Sequence, residues 1–166
     1  QPGGEAPLDG ERAVSADAAH AAALRLLTTR ARTRAELRQR LEDRGFEAAA
    51  VAETLDRLER VGLVDDAALA ATVAEGRAEH GLDAPAIAAE LRDRGVDPAV
   101  AEGAAQAAAP AEDSADRCRQ VAQARMAQLA GLPAPTQLRR LASYLARRGY
   151  PPDLAESVAR DLVGFD

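Results

Sequence analysis

The sequence predicts an all-α protein, a tandem array of three three-helix repeats, elongated and curved. Three observations carry that expectation. The chain is rich in Ala and Leu and only 2% aromatic, and nowhere do β-branched and aromatic residues alternate as in a strand. The pattern Leu-x-x-Arg-Gly followed by an apolar residue occurs three times, at Leu41 to Gly45, Leu91 to Gly95 and Leu145 to Gly149. Each copy carries an apolar residue four positions before its Leu: Leu37, Ile87 and Leu141. A repeat near 50 residues marks stacked helical units, none of which buries enough surface alone.

The boundaries follow in order. Residues 1–16 read as a flexible tail, being polar and carrying several Gly and Pro. The first repeat spans 17–63. Its first helix runs from Asp17 to about Thr29, with Ala21, Leu24 and Leu27 on one face. Thr33 and Glu36 form a T-x-x-E capping box that starts the second helix. That helix presents Leu37 and Leu41 and ends at Gly45. A third helix, about Glu47 to Val61, turns Val51, Leu55 and Leu58 inward and stops at Gly62.

The second repeat spans 64–109. Asp65 or Asp66 caps a helix that runs to about Glu79 and ends at Gly81. Pro85 stands in the first turn of the next helix, which ends at Gly95. Asp97 and Pro98 are an N-cap and a first helical residue, opening a helix with Val100, Ala104 and Ala108 inward. The third repeat spans 110–166. It has a longer first helix, Ala111 to about Leu129, a break at GLPAP, a helix from Thr136 to Arg148, and a last helix opened by Pro151 and Pro152. Leu154, Val158 and Leu162 face inward there.

The formal net charge of −6 conceals a segregation. From Arg117 to Pro152 there are seven Arg and no acid, whereas Glu47 to Asp116 carries sixteen acids against five Arg. Residues 18–46 carry seven Arg against three acids, and Glu36–Arg40 and Arg38–Glu42 are expected to pair at i,i+4. The third repeat has no such local acids, so its charge is available for an acidic protein surface or for phosphates. Stacking aromatics are scarce there, only Tyr144 and Tyr150, which favours a protein partner over single-stranded nucleic acid.

No catalytic site is expected. His20 and His80 lack ligand spacing. Cys118 has Arg117 and Arg119 beside it but no paired base. Asp65 and Asp66 serve as helix caps, and there is no phosphate-binding Gly loop. No cofactor or metal is expected. No apolar run approaches 18 residues, so no membrane span is expected. A single cysteine fits a reducing cytoplasm. Because it opens on Gln1, the chain reads as lacking its start.

The stretch from Arg60 to Val96, RVGLVDDAALAATVAEGRAEHGLDAPAIAAELRDRGV, resembles RecX, the regulator of the RecA recombinase. The shared elements are Gly62, Asp65, Asp66, Arg77, Gly81, Glu90, Leu91, Arg94, Gly95 and Val96. LLTTRARTRAELRQRLEDRGF is similar to the family's opening helix pair and LRRLASYLARRGYPPDLAESV to its closing one. The resemblance implies a non-enzymatic, monomeric protein that binds RecA and its filament on single-stranded DNA. It implies inhibition of recombinase, ATPase and coprotease activity, and so a role in DNA repair and the SOS response. Weak direct DNA binding is a further expectation. A helical adaptor for another protein, or a nucleic-acid module acting without RecA, are the alternatives. The residues expected to meet the partner are Arg139, Arg140, Arg147 and Arg148, then Arg30, Arg32, Arg34 and Arg38.

Overall fold

The structure, a computed structural model, describes residues 9–164, with side chains from Ser15 onward. Among these residues every regular element is helical. The chain divides into two compact units. Unit 1 is the described part of Gln1–Leu69 together with Arg94–Val96; unit 2 is Ala70–Asp93 with the described part of Asp97–Asp166.

Unit 1 contains α1 (Asp9–Leu27), α2 (Arg34–Glu42), α3 (Ala48–Arg60) and the start of α4 (Asp66–Glu79). The short α2 begins where Thr33 and Glu36 require it. The Thr33 hydroxyl accepts from the Glu36 amide at 3.0 Å, and the Thr33 amide donates to Glu36 Oε2 at 3.1 Å. Nine residues of helix are marginal alone, so burial must hold them. Leu37 and Leu41 are both fully buried, each contributing about 1.5–3 kcal/mol. They pack with Leu26, Val51, Leu55, Leu58 and Val64 into one core. Asp65 caps α4 by accepting from Ala68 N at 2.9 Å, while Asp66 accepts from Arg34 N at 2.8 Å.

Unit 2 holds the rest of α4, then α5 (Ala84–Asp93), α6 (Pro98–Ala108), a 3₁₀ turn (Ala111–Asp113), α7 (Ser114–Met126), α8 (Ala134–Arg147) and α9 (Pro152–Val163). Asp97 caps α6 through Ala99 N and Val100 N, with Pro98 behind it. One core joins Cys118, Ala122, Leu129, Leu141, Leu145, Tyr150 and Val158. The α5–α6 pair instead closes on small side chains: Ala88, Ala101, Ala105 and Ala109 are buried beside Ile87 and Leu91.

Several expectations are corrected. Residues 9–16 of the expected tail are helical and extend α1; residues 1–8 lie outside the described residues. No Gly or Pro interrupts the chain from Glu11 to Leu27, and Thr54 ties the segment down by donating to Ala16 O at 3.3 Å. The buried face of α1 is Ala19, Ala22, Ala23 and Leu26, not Ala21 and Leu24, which are exposed. In α6 the buried set is Ala101, Ala105 and Ala109, one position on from Val100, Ala104 and Ala108. In α9 Ala155 and Ala159 join Val158, with Leu154 and Leu162 half-buried. The cause is common: where alanines surround a helix, several stripes are apolar, and the tightest-packing one goes inside. Glu36 does not pair with Arg40, nor Arg38 with Glu42; Glu36 turns to Arg94 and Arg30 instead.

Two of the three Arg-Gly turns are docked on the start of another helix. In unit 1, the Thr33 hydroxyl donates to the Arg94 carbonyl at 2.6 Å, and Arg94 Nε donates to Glu36 Oε1 at 2.9 Å. Gly95 has φ +81, and a Cβ there would collide with the Ala35 methyl. In unit 2, Asp83 N donates to the Arg148 carbonyl at 2.8 Å. Gly149 has φ +95, and its Cβ would lie 2.7 Å from Ala86 N. The residues that follow, Val96 and Tyr150, are 3% and 2% exposed.

Candidate partner-binding surface

The eight arginines singled out by charge differ sharply in availability. In unit 1, Arg32 is 8% exposed. Its Nε donates to Leu26 O and its Nη2 to the Thr29 hydroxyl, both at 3.3 Å, so it closes the C-terminus of α1. Burial first, then the Arg40 and Arg30 charges, lower its pKa; a guanidinium stays charged at neutral pH regardless. Arg34 is bound by Glu59 at 2.7 Å and Asp56 at 2.8 Å. Arg30 is half-exposed and 3.7 Å from Glu36. Arg38 is exposed and has no ion pair among the described residues. The structure therefore assigns Arg32 and Arg34 to the fold and leaves Arg38, with Arg30 partly engaged, at the surface.

Glu36 is the hub of that corner. Burial by itself would raise its carboxyl pKa. The Arg94 hydrogen bond, the Thr33 amide and the Arg94 and Arg30 charges outweigh burial and hold it below the ordinary carboxylate value.

In unit 2, α8 supplies the exposed charge. Arg139, Arg140 and Arg147 are exposed and without an ion pair among the described residues. Arg148 is not free: its Nη1 donates to His80 O, and its guanidinium lies 4.6 Å from the Tyr144 ring centre. Arg125, from α7, lies 4.8 Å from the same ring, so Tyr144 holds two cations by their interaction with its π-face. At 100° per residue Arg140, Tyr144, Arg147 and Arg148 fall within one stripe of α8, while Arg139 lies off it. Arg139 lines a cleft with Leu138, Ala142, Glu156 and Arg160. Charge counting alone gave no reason to separate Arg125 and Tyr144 from their neighbours; the aromatic contact does.

The third repeat's charge is less bare than its local sequence implied. Arg117 is bound by Asp83, which is 4% exposed and also accepts from the Ser114 hydroxyl. Arg119 lies 3.4 Å from Asp116. Around Asp83, burial and then the Asp83 charge push the Cys118 thiol up to about 11 and the Tyr150 phenol up to about 12. Tyr150 donates to Gly81 O at 3.0 Å. Cys118 is thus a buried thiol held in its neutral form.

A cleft of about 760 Å³ is lined by α5, α6 and neighbouring loops, mostly by Ala and Pro. Its charged members are already engaged, Arg92 with Glu102 at 3.1 Å and Asp83 with Arg117. No group of three metal-ligating side chains occurs among the described residues, and no helix there is long and apolar enough to cross a membrane.

Comparison with known proteins places this geometry. The family model "RecX, first three-helix domain" matches residues 19–58, and "RecX, third three-helix domain" matches residues 111–158. Regulatory protein RecX of Thermobifida fusca is 42% identical over 144 residues, covering 86% of this chain and 77% of the relative. Regulatory protein RecX of Mycobacterium sp. (strain KMS) is 44% identical over 151 residues, 87% of this chain and 79% of the relative. The crystal structure of RecX from Lactobacillus salivarius superposes with a TM-score of 0.74 at 18% identity, over 90% of this chain and 97% of that one. A second crystal structure, of regulatory protein RecX, gives 0.75 at 18% identity over 100% and 83%. At that identity the solved structures speak to the fold, which they share.

Proposed function

Because this chain belongs to the RecX family of regulatory proteins, we propose that it binds RecA and the RecA filament on single-stranded DNA and restrains it. Recombinase, ATPase and coprotease activities fall when it binds, and DNA repair and the SOS response are damped. It acts in the cytoplasm, as a monomer, through contact rather than catalysis. Its three three-helix repeats, 17–63, 64–109 and 110–166, supply surface to the partner.

The observation that carries this reading is the α8 stripe. Arg140 and Arg147 stand exposed with no ion pair among the described residues, beside a Tyr144 ring already flanked by Arg125 and Arg148. Arg and Tyr in such a cluster supply rigid contact area and charge together, the chemistry of interface anchors. An acidic face on the filament is the complement. Arg139 and Arg38 add charge outside the stripe.

A module that binds single strands without RecA is less well supported. It would need aromatic faces open to bases. Tyr144 is covered by two guanidinium groups and Tyr150 is buried.

The test is RecA-catalysed ATP hydrolysis on single-stranded DNA, measured as this protein is titrated to stoichiometry. The expected result is a graded fall in rate. An unchanged rate at stoichiometric protein overturns the proposal. Strong DNA binding without RecA that falls steeply with salt would move the assignment to the nucleic-acid module.

A further inference from the structure

The first Arg-Gly turn, Arg44–Gly45–Phe46, differs from its two copies in having no helix start docked against it among the described residues. The turn itself is the same. Arg44 N and Phe46 N donate to Leu41 O at 3.1 and 3.2 Å, as Arg148 N and Tyr150 N donate to Leu145 O at 3.0 and 3.4 Å. Gly45 has φ +88, like Gly95 and Gly149. What differs is its surroundings. A Cβ at Gly45 would meet nothing within 4 Å, whereas at Gly95 and Gly149 it would strike Ala35 and Ala86. Arg44 is exposed, while Arg94 and Arg148 are half-buried. Phe46 is only partly covered, while Val96 and Tyr150 are buried. The Arg44 carbonyl has no partner among the described residues, while the Arg94 and Arg148 carbonyls each accept from the residue that opens a helix.

From these two internal precedents we infer that the Arg44–Gly45–Phe46 turn is a docking seat for the N-terminus of a helix on a partner protein. This rests on the reading that the chain acts by binding a protein. The precedents specify the chemistry of the occupant. Its N-cap residue donates to the Arg44 carbonyl, as Thr33 does to Arg94. A small residue in its first turn sits against Gly45, as Ala35 and Ala86 sit against the other glycines. A glutamate at the third helical position meets the Arg44 guanidinium, as Glu36 meets Arg94. Arg44 itself is the exposed cation at the seat, and an acidic first turn on the occupant complements it.

A second copy of this chain is a poor occupant. Counting four residues back from the first apolar residue of each copy gives Thr33, Asp83 and Gln137. The first two open helices whose starts are already taken by Arg94 and Arg148. Gln137 stands inside α8, which begins at Ala134, and Arg140 replaces the glutamate. None of these three positions is free to fill the seat.

The experiment uses the full chain, isotope-labelled, titrated with a side-chain-stapled helical peptide of its own residues 31–43, the helix start that docks on the Arg94 turn. Amide shifts should move at Arg44, Gly45 and Phe46. They should be lost when the peptide carries Thr33→Val with Glu36→Gln, or the chain carries Gly45→Asn. Asn tolerates the left-handed conformation, and the added atoms enter open space, so the fold survives. The same substitution at Gly95 should instead lower the melting temperature, because that seat is filled. Three results overturn the proposal. One is no movement at residues 44–46 at millimolar peptide. Another is movement confined to residues 94–96. The last is movement of 44–46 on concentrating the chain alone, which would make a second copy the occupant. Failure to inhibit RecA would strike the functional reading and leave this result standing.

Discussion

The Thr33 hydroxyl donates to the carbonyl of Arg94 at 2.6 Å, across 61 positions of sequence. One small side chain thereby caps α2 and holds the second Arg-Gly turn, and Glu36 does both jobs in parallel through the Thr33 amide and the Arg94 guanidinium. Cap and tertiary contact are a single network within unit 1.

Removing part of that network should cost more than an ordinary surface change. Glu36→Ala leaves Arg94, 19% exposed, without its partner. The expected loss is about 1–3 kcal/mol, read as a lower midpoint in urea. A double-mutant cycle with Arg94→Ala should show coupling; strictly additive losses would mean that the pair contributes nothing.

Acid should act through the same residue. A carboxyl held below its unfolded value, 4.5 for Glu36, stabilises the fold above that value and loses the contribution as pH falls through the lower folded value. Melting temperatures of the wild type and Glu36→Gln should therefore differ most near neutrality and converge below about pH 4.5. A gap that stays constant down to about pH 3 would assign the effect to packing instead.

Base should act on unit 2. Cys118 and Tyr150 titrate at about 11 and about 12 in the fold, against 9.0 and 10.0 for the free groups. Their contribution is whole below about pH 9 and drains away as pH rises towards the folded values. Melting temperature should fall above pH 9, less steeply in Cys118→Ala. At pH 8 the wild-type thiol should react with an alkylating reagent only as fast as the chain opens, and immediate labelling would contradict its burial.

Arg140→Glu with Arg147→Glu should weaken inhibition of RecA roughly tenfold while far-ultraviolet dichroism and melting stay near wild type. Both side chains are exposed and have no ion pair among the described residues. Full inhibition by the double variant would remove the α8 stripe from the interface.

Arg32→Met should behave in the opposite way. It deletes the hydrogen bonds to Leu26 O and Thr29 and should lower stability by about 1–2 kcal/mol, with inhibition per folded molecule unchanged. A loss of inhibition without a loss of stability would return Arg32 to the binding surface.

Helix positions were legible in the sequence because their signals are local. The Thr33–Glu36 box, Asp97 with Pro98, and glycines at 45, 62, 81, 95 and 149 act within a few residues of where they stand. The Leu pairs 37/41 and 141/145, with Ile87/Leu91, stand at i,i+4 on one face of their helices, and all six are fully buried. The inward face of α1 was not legible in the same way. Ala21–Leu24 and Ala22–Leu26 describe rival stripes of similar hydrophobicity, and close packing against α3 chose the second. The candidate surface was legible as a region and not as residues: eight arginines look alike as charges.

The sequence by itself determined the all-helical class, most of the helix ends, the three Arg-Gly turns and the family, since each rests on short-range chemistry or on the order of residues. Only the tertiary structure decided which arginines are spent and which are free. Arg34 is held by acids 22 and 25 residues away, Arg94 by one 58 away and Arg117 by one 34 away. Arg148 reaches a carbonyl 68 residues back. Charge neutralisation acts through space, so a residue without a local partner can be fully paired, and a turn repeated three times can be docked twice and open once.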